Sequence, residues 1–218
     1  MGRADMEKPI RVLIADDHTI VREGLKQILA ETPDMAVVDE ASNGQEVLDK
    51  AAEVGPDVVL LDISMPGRSG LDILKQLKTD MPGTAVLVLS MYSEEQYALR
   101  ALKAGASGYL TKESAPDRLI EAIRLVSRGR KYISASVAEK LAYNLEQGEE
   151  KPPHENLSDR EYQVMCMIAS GKTVKEIAAD LTLSVKTIST YRTRILEKMG
   201  LRNNAALTHY AVQNRLVE

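Results

Sequence analysis

Between residues 10 and 129 the chain alternates short, β-branched apolar runs with longer amphipathic stretches, and the alternation occurs five times. Continuous or period-two apolar runs mark strands, whereas apolar positions three and four residues apart mark helices. The pattern predicts strands over 10–15, 35–40, 57–61, 84–89 and 107–110. Helices are predicted near 19–31, 44–54, 70–80, 94–104 and 115–128. VVLL and AVLVL are apolar throughout, as central parallel strands covered by helices on both faces should be. Helix punctuation agrees. Ser93 and Gln96 have capping-box spacing, Ser114 with Pro116 and Asp117 makes a good first turn, and Gly105 and Gly129 stop their helices. With right-handed crossovers, the economical arrangement is a flavodoxin-like, doubly wound α/β sheet of five parallel strands in the order 2-1-3-4-5.

After residue 130 the alternation stops. A helix is predicted over 135–145, and it runs into GEEKPPHEN, where charge, Gly and paired Pro read as an exposed hinge. No strand pattern returns, and four helices are predicted at 159–170, 174–181, 185–199 and 203–214. The expected organisation is an α/β domain over 8–130, a linker over 131–155 and a small all-α domain over 156–218. Ser158 with Glu161 and Thr173 with Glu176 are capping boxes. The turn Thr182-Leu183-Ser184 has the length that sets two helices into a helix-turn-helix, with Ser184 capping the next helix.

Composition narrows the classes. No run of 18 apolar residues spans a bilayer, and MGRADMEKP lacks an apolar leader, so no membrane role is expected and the predicted compartment is the cytoplasm. The one cysteine, Cys166, closes no intramolecular disulfide and reads as packing. Basic residues number 28 against 32 acidic ones, but residues 155–218 carry nine against seven, so anion binding belongs more naturally to the C-terminal part. Phe and Trp are absent, which argues against stacking of bases on aromatic platforms.

The first strand leads into Asp16-Asp17 and the third ends in Asp62, so three carboxylates reach the carboxyl edge of neighbouring strands, where open α/β sheets bind ligands. For any one of the three, an Asp at a strand end that merely caps the following helix is the favoured reading. Together, the three would raise one another's pKa unless a hard divalent cation such as Mg²⁺ sat among them. The fourth strand ends in Ser90 and the fifth leads through Thr111 to Lys112, adding a hydroxyl and a fixed cation. Phosphoryl transfer uses an in-line nucleophile with cations on the equatorial oxygens, so the set suits a phosphorylatable aspartate.

IADDHTIVREGL, LLDISMPGRSGLDIL, LVLS and GYLTKESAP closely resemble the receiver domain of two-component response regulators, in its NarL/FixJ branch. The resemblance implies that Asp62 accepts a phosphoryl group from a sensor histidine kinase and that Asp16, Asp17, Asp62 and the Ser64 backbone carbonyl hold Mg²⁺. It further implies that Ser90 and Lys112 contact the phosphoryl oxygens and that Tyr109 moves inward as Ser90 engages them. His18 reads as opening the first helix, without chemistry of its own. The loop Met65, Pro66, Gly67 and Gly70 brings backbone close to the acceptor.

Helix 185–199 keeps Ile188, Ile195 and Met199 inward and leaves a hydroxyl-rich face flanked by basic residues, which can enter a major groove. A solvated basic face would read the same from charge alone. However, the stretch from LSDREYQ to ILEKM is similar throughout to the LuxR-type helix-turn-helix. By position, that resemblance makes Ser189, Thr190 and Thr193 base-contacting residues and Lys186, Thr187, Tyr191, Arg192, Arg194 and Lys198 phosphate-side candidates. It implies a homodimer on double-stranded promoter DNA once phosphorylated, with Ala206, Leu207, Tyr210 and Ala211 either on a dimer surface or completing a small core. STYRTRILEKM and ALTHYAV resemble the GacA/UvrY-type regulators of this branch. No enzymatic turnover is expected beyond the receiver's own phosphoryl transfer. An aspartyl-phosphate hydrolase, or a DNA-binding protein with a vestigial receiver, remain as rivals.

Overall fold

The computed structural model describes residues 8–135, 137–139, 142 and 152–217, with the side chains of 95 and 96 left aside. Its N-terminal part runs β1 (Ile10–Ala15), α1 (Thr19–Ala30), β2 (Met35–Ala41), α2 (Gly44–Val54), β3 (Val58–Asp62) and α3 (Gly70–Asp80). It continues through β4 (Ala85–Ser90), α4 (Glu94–Lys103), β5 (Gly108–Thr111) and α5 (Pro116–Ser127). All strand pairs are parallel, and the order is 2-1-3-4-5, as predicted.

Every residue of β3 and β4 is buried, which accounts for their unbroken apolar runs. On one face Val12, Ile14, Leu60, Leu87 and Leu110 pack with Leu25 and Leu29 of α1 and Leu119, Ile123 and Val126 of α5. Each fully buried side chain of this size contributes roughly 1.5–3 kcal/mol. The strands β3, β4 and β5 each begin and end one residue later than the hydrophobic pattern predicts. The ladder explains the shift, since Asp62 still pairs with Leu89 and Ser90 with Thr111. Hydrogen bonding carries the strands into polar residues that hydrophobicity alone excludes.

Pro116 and Asp117 stand in the first turn of α5 as predicted, but Ser114 does not serve that helix. Helix α5 is opened by Ala115 without a side-chain cap, with Pro116 at its start, and Ser114 instead pairs its hydroxyl with that of Thr111 at 3.2 Å. The Gln96 half of the Ser93 capping box lies outside the described side chains. So does most of the helix expected over 135–145.

The C-terminal part holds a short 3₁₀ turn at Pro153–Asn156 and then α6 (Asp159–Ala169), α7 (Val174–Asp180), α8 (Val185–Met199) and α9 (Asn204–Gln213). Both predicted capping boxes form in full, at Ser158 with Glu161 and at Thr173 with Glu176. Ser184 caps α8 by accepting the Thr187 N–H at 3.0 Å, after a turn in which Thr182 has a φ of 53°. Val164, Met165, Ile168, Ile177, Ala178, Leu181, Ile188, Ile195 and Met199 are all buried, as their helical spacing predicts. Leu207 and Ala211 are buried too, so these two α9 residues complete the small core. By its contacts the chain divides into two compact units, Met1–Tyr92 with Arg100–Ile133, and Ser93–Leu99 with Ser134–Glu218. Among the described residues no helix is long and apolar enough to cross a membrane.

Candidate functional site

Because β3 pairs with β1 on one side and β4 on the other, Asp16, Asp62 and Ser90 leave adjacent strands at one edge. Lys112 follows β5, and its N–H donates to Ser90's neighbourhood through the Ser90 carbonyl at 2.8 Å. Its Nζ lies 2.6 Å from Asp16 Oδ2 and 2.6 Å from Asp62 Oδ2, joining two carboxylates that are only 2% and 1% exposed. Burial pushes the Asp62 carboxyl above the usual carboxylate range, although the Lys112 ammonium and the Ser64 N–H oppose it. For Lys112, burial pulls the amine down, and the Asp62 and Asp16 carboxylates more than restore it, so it stays a cation.

The rest of the pocket is tied down by backbone. Ser64 N–H donates to Asp62 Oδ1 at 2.8 Å, and Arg22 donates from Nη1 to the Asp16 carbonyl at 2.8 Å while its Nε faces Glu40 at 3.3 Å. Ser90 is fully buried, and its hydroxyl accepts the Tyr92 N–H at 3.2 Å. Tyr109 lies inward, with its hydroxyl donating to the Tyr92 carbonyl at 2.8 Å. The Tyr92 backbone therefore joins the two residues that the resemblance couples.

His18 makes a contact that its place in the sequence does not foretell. It does open α1, but its side chain makes no cap; the ring instead lies 2.9 Å from Asp17 Oδ1 and 3.3 Å from Asp16 Oδ1. The run Asp-Asp-His was the available signal. Asp16, Asp17, His18 and Asp62 each offer a ligand atom, all within 4.8 Å of one another, so the group can hold a metal ion. Asp17 Oδ1 is buried without a well-directed hydrogen bond, which leaves an oxygen lone pair for a cation. An oxygen-dominated set suits a hard divalent ion.

In the C-terminal part, Lys186, Ser189, Thr190, Thr193, Arg194 and Lys198 are exposed on α8, and Thr187, Tyr191 and Arg192 are half-buried. Two of the expected phosphate-side cations have partners inside the domain. Arg192 Nε donates to Asn204 Oδ1 at 2.6 Å, and Lys198 Nζ pairs with Glu161 Oε2 at 2.6 Å. Among the described residues, Lys186 and Arg194 have no such ion pair. Burial pushes the Glu161 carboxyl up, but the Lys198 ammonium and the Ser158 N–H and hydroxyl bring it below the usual range. A depressed carboxyl stabilises the fold above its unfolded-state pKa, and the gain is lost as pH falls through the folded value. Glu161→Gln will therefore lower the unfolding midpoint at neutral pH. Thermal melts from pH 7 to pH 3 should show that gap closing, and a constant gap would assign Glu161 a packing role only.

A 2-1-3-4-5 sheet whose carboxyl edge gathers three Asp, a Ser and a Lys, followed by a capped helix-turn-helix, defines a response regulator. Residues 12–124 match the response regulator receiver domain, and residues 155–211 match the bacterial regulatory proteins of the luxR family. The chain belongs to the response regulator family. It is similar to response regulator GacA of Pseudomonas protegens, with 40% identity over 209 residues covering 96% of this chain and 98% of that protein. With response regulator UvrY of Escherichia coli K12 it shares 36% identity over 208 residues, 95% of each chain. A structure of RcsB from Salmonella enterica serovar Typhimurium, bound to promoter P1flhDC in the presence of the phosphomimetic BeF3-, is also similar. It gives a TM-score of 0.64 at 29% identity and covers 94% of this chain and 100% of that one.

Proposed function

We propose that phosphorylation of Asp62 by a sensor histidine kinase controls the binding of promoter DNA by α8, in the cytoplasm. Residues 8–130 form the receiver, 131–155 the linker and 156–218 the DNA-binding domain. The observation that carries the reading is the buried Asp62 carboxylate held 2.6 Å from the Lys112 ammonium beside Asp16 and Asp17.

An Asp62 oxygen attacks the phosphorus of a phosphohistidine, the phosphorus–nitrogen bond breaks, and the imidazole leaves with a proton. Lys112 exchanges its carboxylate pairs for a phosphoryl oxygen, and the Ser90 hydroxyl donates to another. Asp16, Asp17, Asp62 and the Ser64 carbonyl would hold Mg²⁺, which when bound neutralises the phosphoryl oxygens. Once Ser90 donates to phosphate, the Tyr92 backbone carries its displacement to Tyr109, and the protein acts on no substrate but itself. The same charge favours a homodimer.

Wild type and Asp62→Asn should be treated with a small acyl-phosphate donor and Mg²⁺, then weighed intact. Wild type should gain one phosphoryl group, shift towards a dimer in solution and bind promoter DNA at least tenfold more tightly at stated salt, whereas the variant does none of these. Label on the variant, or an unchanged assembly and affinity on labelled wild type, would overturn the reading. Without any donor, Mg²⁺ at about ten times its Kd should stabilise wild type by about 1.4 kcal/mol. Asp17→Asn should lose that increment in a thermal melt.

A further inference from the structure

The hydroxyls on the exposed face of α8 are already spoken for. Ser189 Oγ donates to the Val185 carbonyl at 2.9 Å, Thr190 Oγ1 to Lys186 at 3.0 Å and Thr193 Oγ1 to Ser189 at 3.1 Å. Thr187 Oγ1 lies 2.8 Å from Ser184 Oγ. A hydroxyl has one proton and two lone pairs, so each of the three that donates along the helix can accept a further bond but has no proton to give. Arg192 spends its Nε–H on Asn204, so its remaining N–H groups are held towards that side of the helix rather than carried on a free side chain.

We infer that Ser189, Thr190 and Thr193 read bases as hydrogen-bond acceptors, the two threonines also as methyl-bearing surfaces, and so select adenine, cytosine or thymine and disfavour guanine. The inference rests on α8 being the DNA-reading helix. In the major groove guanine shows only the N7 and O6 acceptors, which these side chains cannot satisfy. Adenine N6 and cytosine N4 each offer a donor, and thymine offers a methyl group that the Thr190 and Thr193 γ-methyls can cover. Any guanine in the site is left to the cations of the helix, chiefly Lys186 and Arg194, which are exposed and have no ion pair among the described residues.

The test is a binding selection from a randomised duplex library with the full-length, donor-phosphorylated protein, repeated with Thr190→Ala and Thr193→Ala. Positions whose preference changes in the variants are those the two threonines read. There, adenine, cytosine or thymine should dominate in wild type. Deoxyuridine in place of thymine should weaken wild-type binding about fourfold per methyl lost, and at each position this loss should vanish in the variant that lacks the threonine covering that methyl. 7-Deazaguanine at the same positions should bind no worse than guanine, since the N7 acceptor it lacks receives no proton from these hydroxyls. Guanine dominating there, with weaker binding of its 7-deaza form, overturns the inference and leaves α8 as the reader. Selected binding in which neither variant changes any position overturns it too. If wild type selects no sequence at all, the DNA-reading assignment of α8 falls with it.

Discussion

Lys112→Met will lower the stability of the receiver by about 3–5 kcal/mol and abolish labelling of Asp62 by a small phosphodonor. The substitution keeps much of the side-chain volume and removes the charge together with its N–H donors. It leaves the Asp16 and Asp62 carboxylates buried with no ammonium between them, where each is now held at 2.6 Å from Nζ. Asp62 is already pushed up by burial and by the neighbouring Asp16 charge, and loss of Lys112 removes the largest opposing influence. A carboxyl whose folded pKa lies above its unfolded one contributes stability below the unfolded value, and this is lost as pH rises through the folded value. The gap between variant and wild type should therefore be widest at neutral pH and narrow towards pH 4, which urea unfolding at several pH values will measure. A gap independent of pH would mean that the lost packing, not the uncompensated carboxylates, sets the cost.

Gly70→Ala will destabilise the same domain by about 2–3 kcal/mol, or about 10 °C in melting temperature. Alanine in place of glycine near a helix start ordinarily stabilises or is neutral. Here a Cβ would lie 2.3 Å from Ile63 Cα and 2.8 Å from its carbonyl oxygen, both backbone atoms that cannot rotate aside. Ile63 sits between Asp62 and Ser64, whose N–H holds the Asp62 carboxylate at 2.8 Å. The clash will therefore reach the pocket, and labelling of Asp62 should slow along with the loss of stability. The reversed sign is the useful part of the result. A variant as stable as wild type would show that α3 can slide away from the loop and make room for the added Cβ.

Much of the site was legible before any fold was known. Asp62, Ser90 and Lys112 could be placed at one edge because a strand's polar terminus follows from its apolar run, and a doubly wound sheet brings all such termini together. The capping boxes at Ser158 and Thr173 were equally legible, since both partners lie within one turn of helix. Ser114 misled because its type suits a cap while Ala115 supplies the backbone conformation, with Ser114 drawn instead to Thr111. His18 was read as an element of the helix start alone, because its approach to Asp17 depends on a side-chain direction that spacing does not encode.

The sequence by itself determined the order of strands and helices, the sheet topology and the residues at its carboxyl edge. These follow from hydrophobic period, from capping within single helix turns and from the right-handed crossover that joins parallel strands. Only the tertiary structure decided that one ammonium bridges Asp16 and Asp62, and that Lys198 and Arg192 pair with Glu161 and Asn204 inside the domain. Such partners are distant along the chain, 50 residues apart for Lys112 and Asp62 and 37 for Lys198 and Glu161. They meet only because packing fixes the distance and angle between whole elements, and no local pattern of residues carries that information.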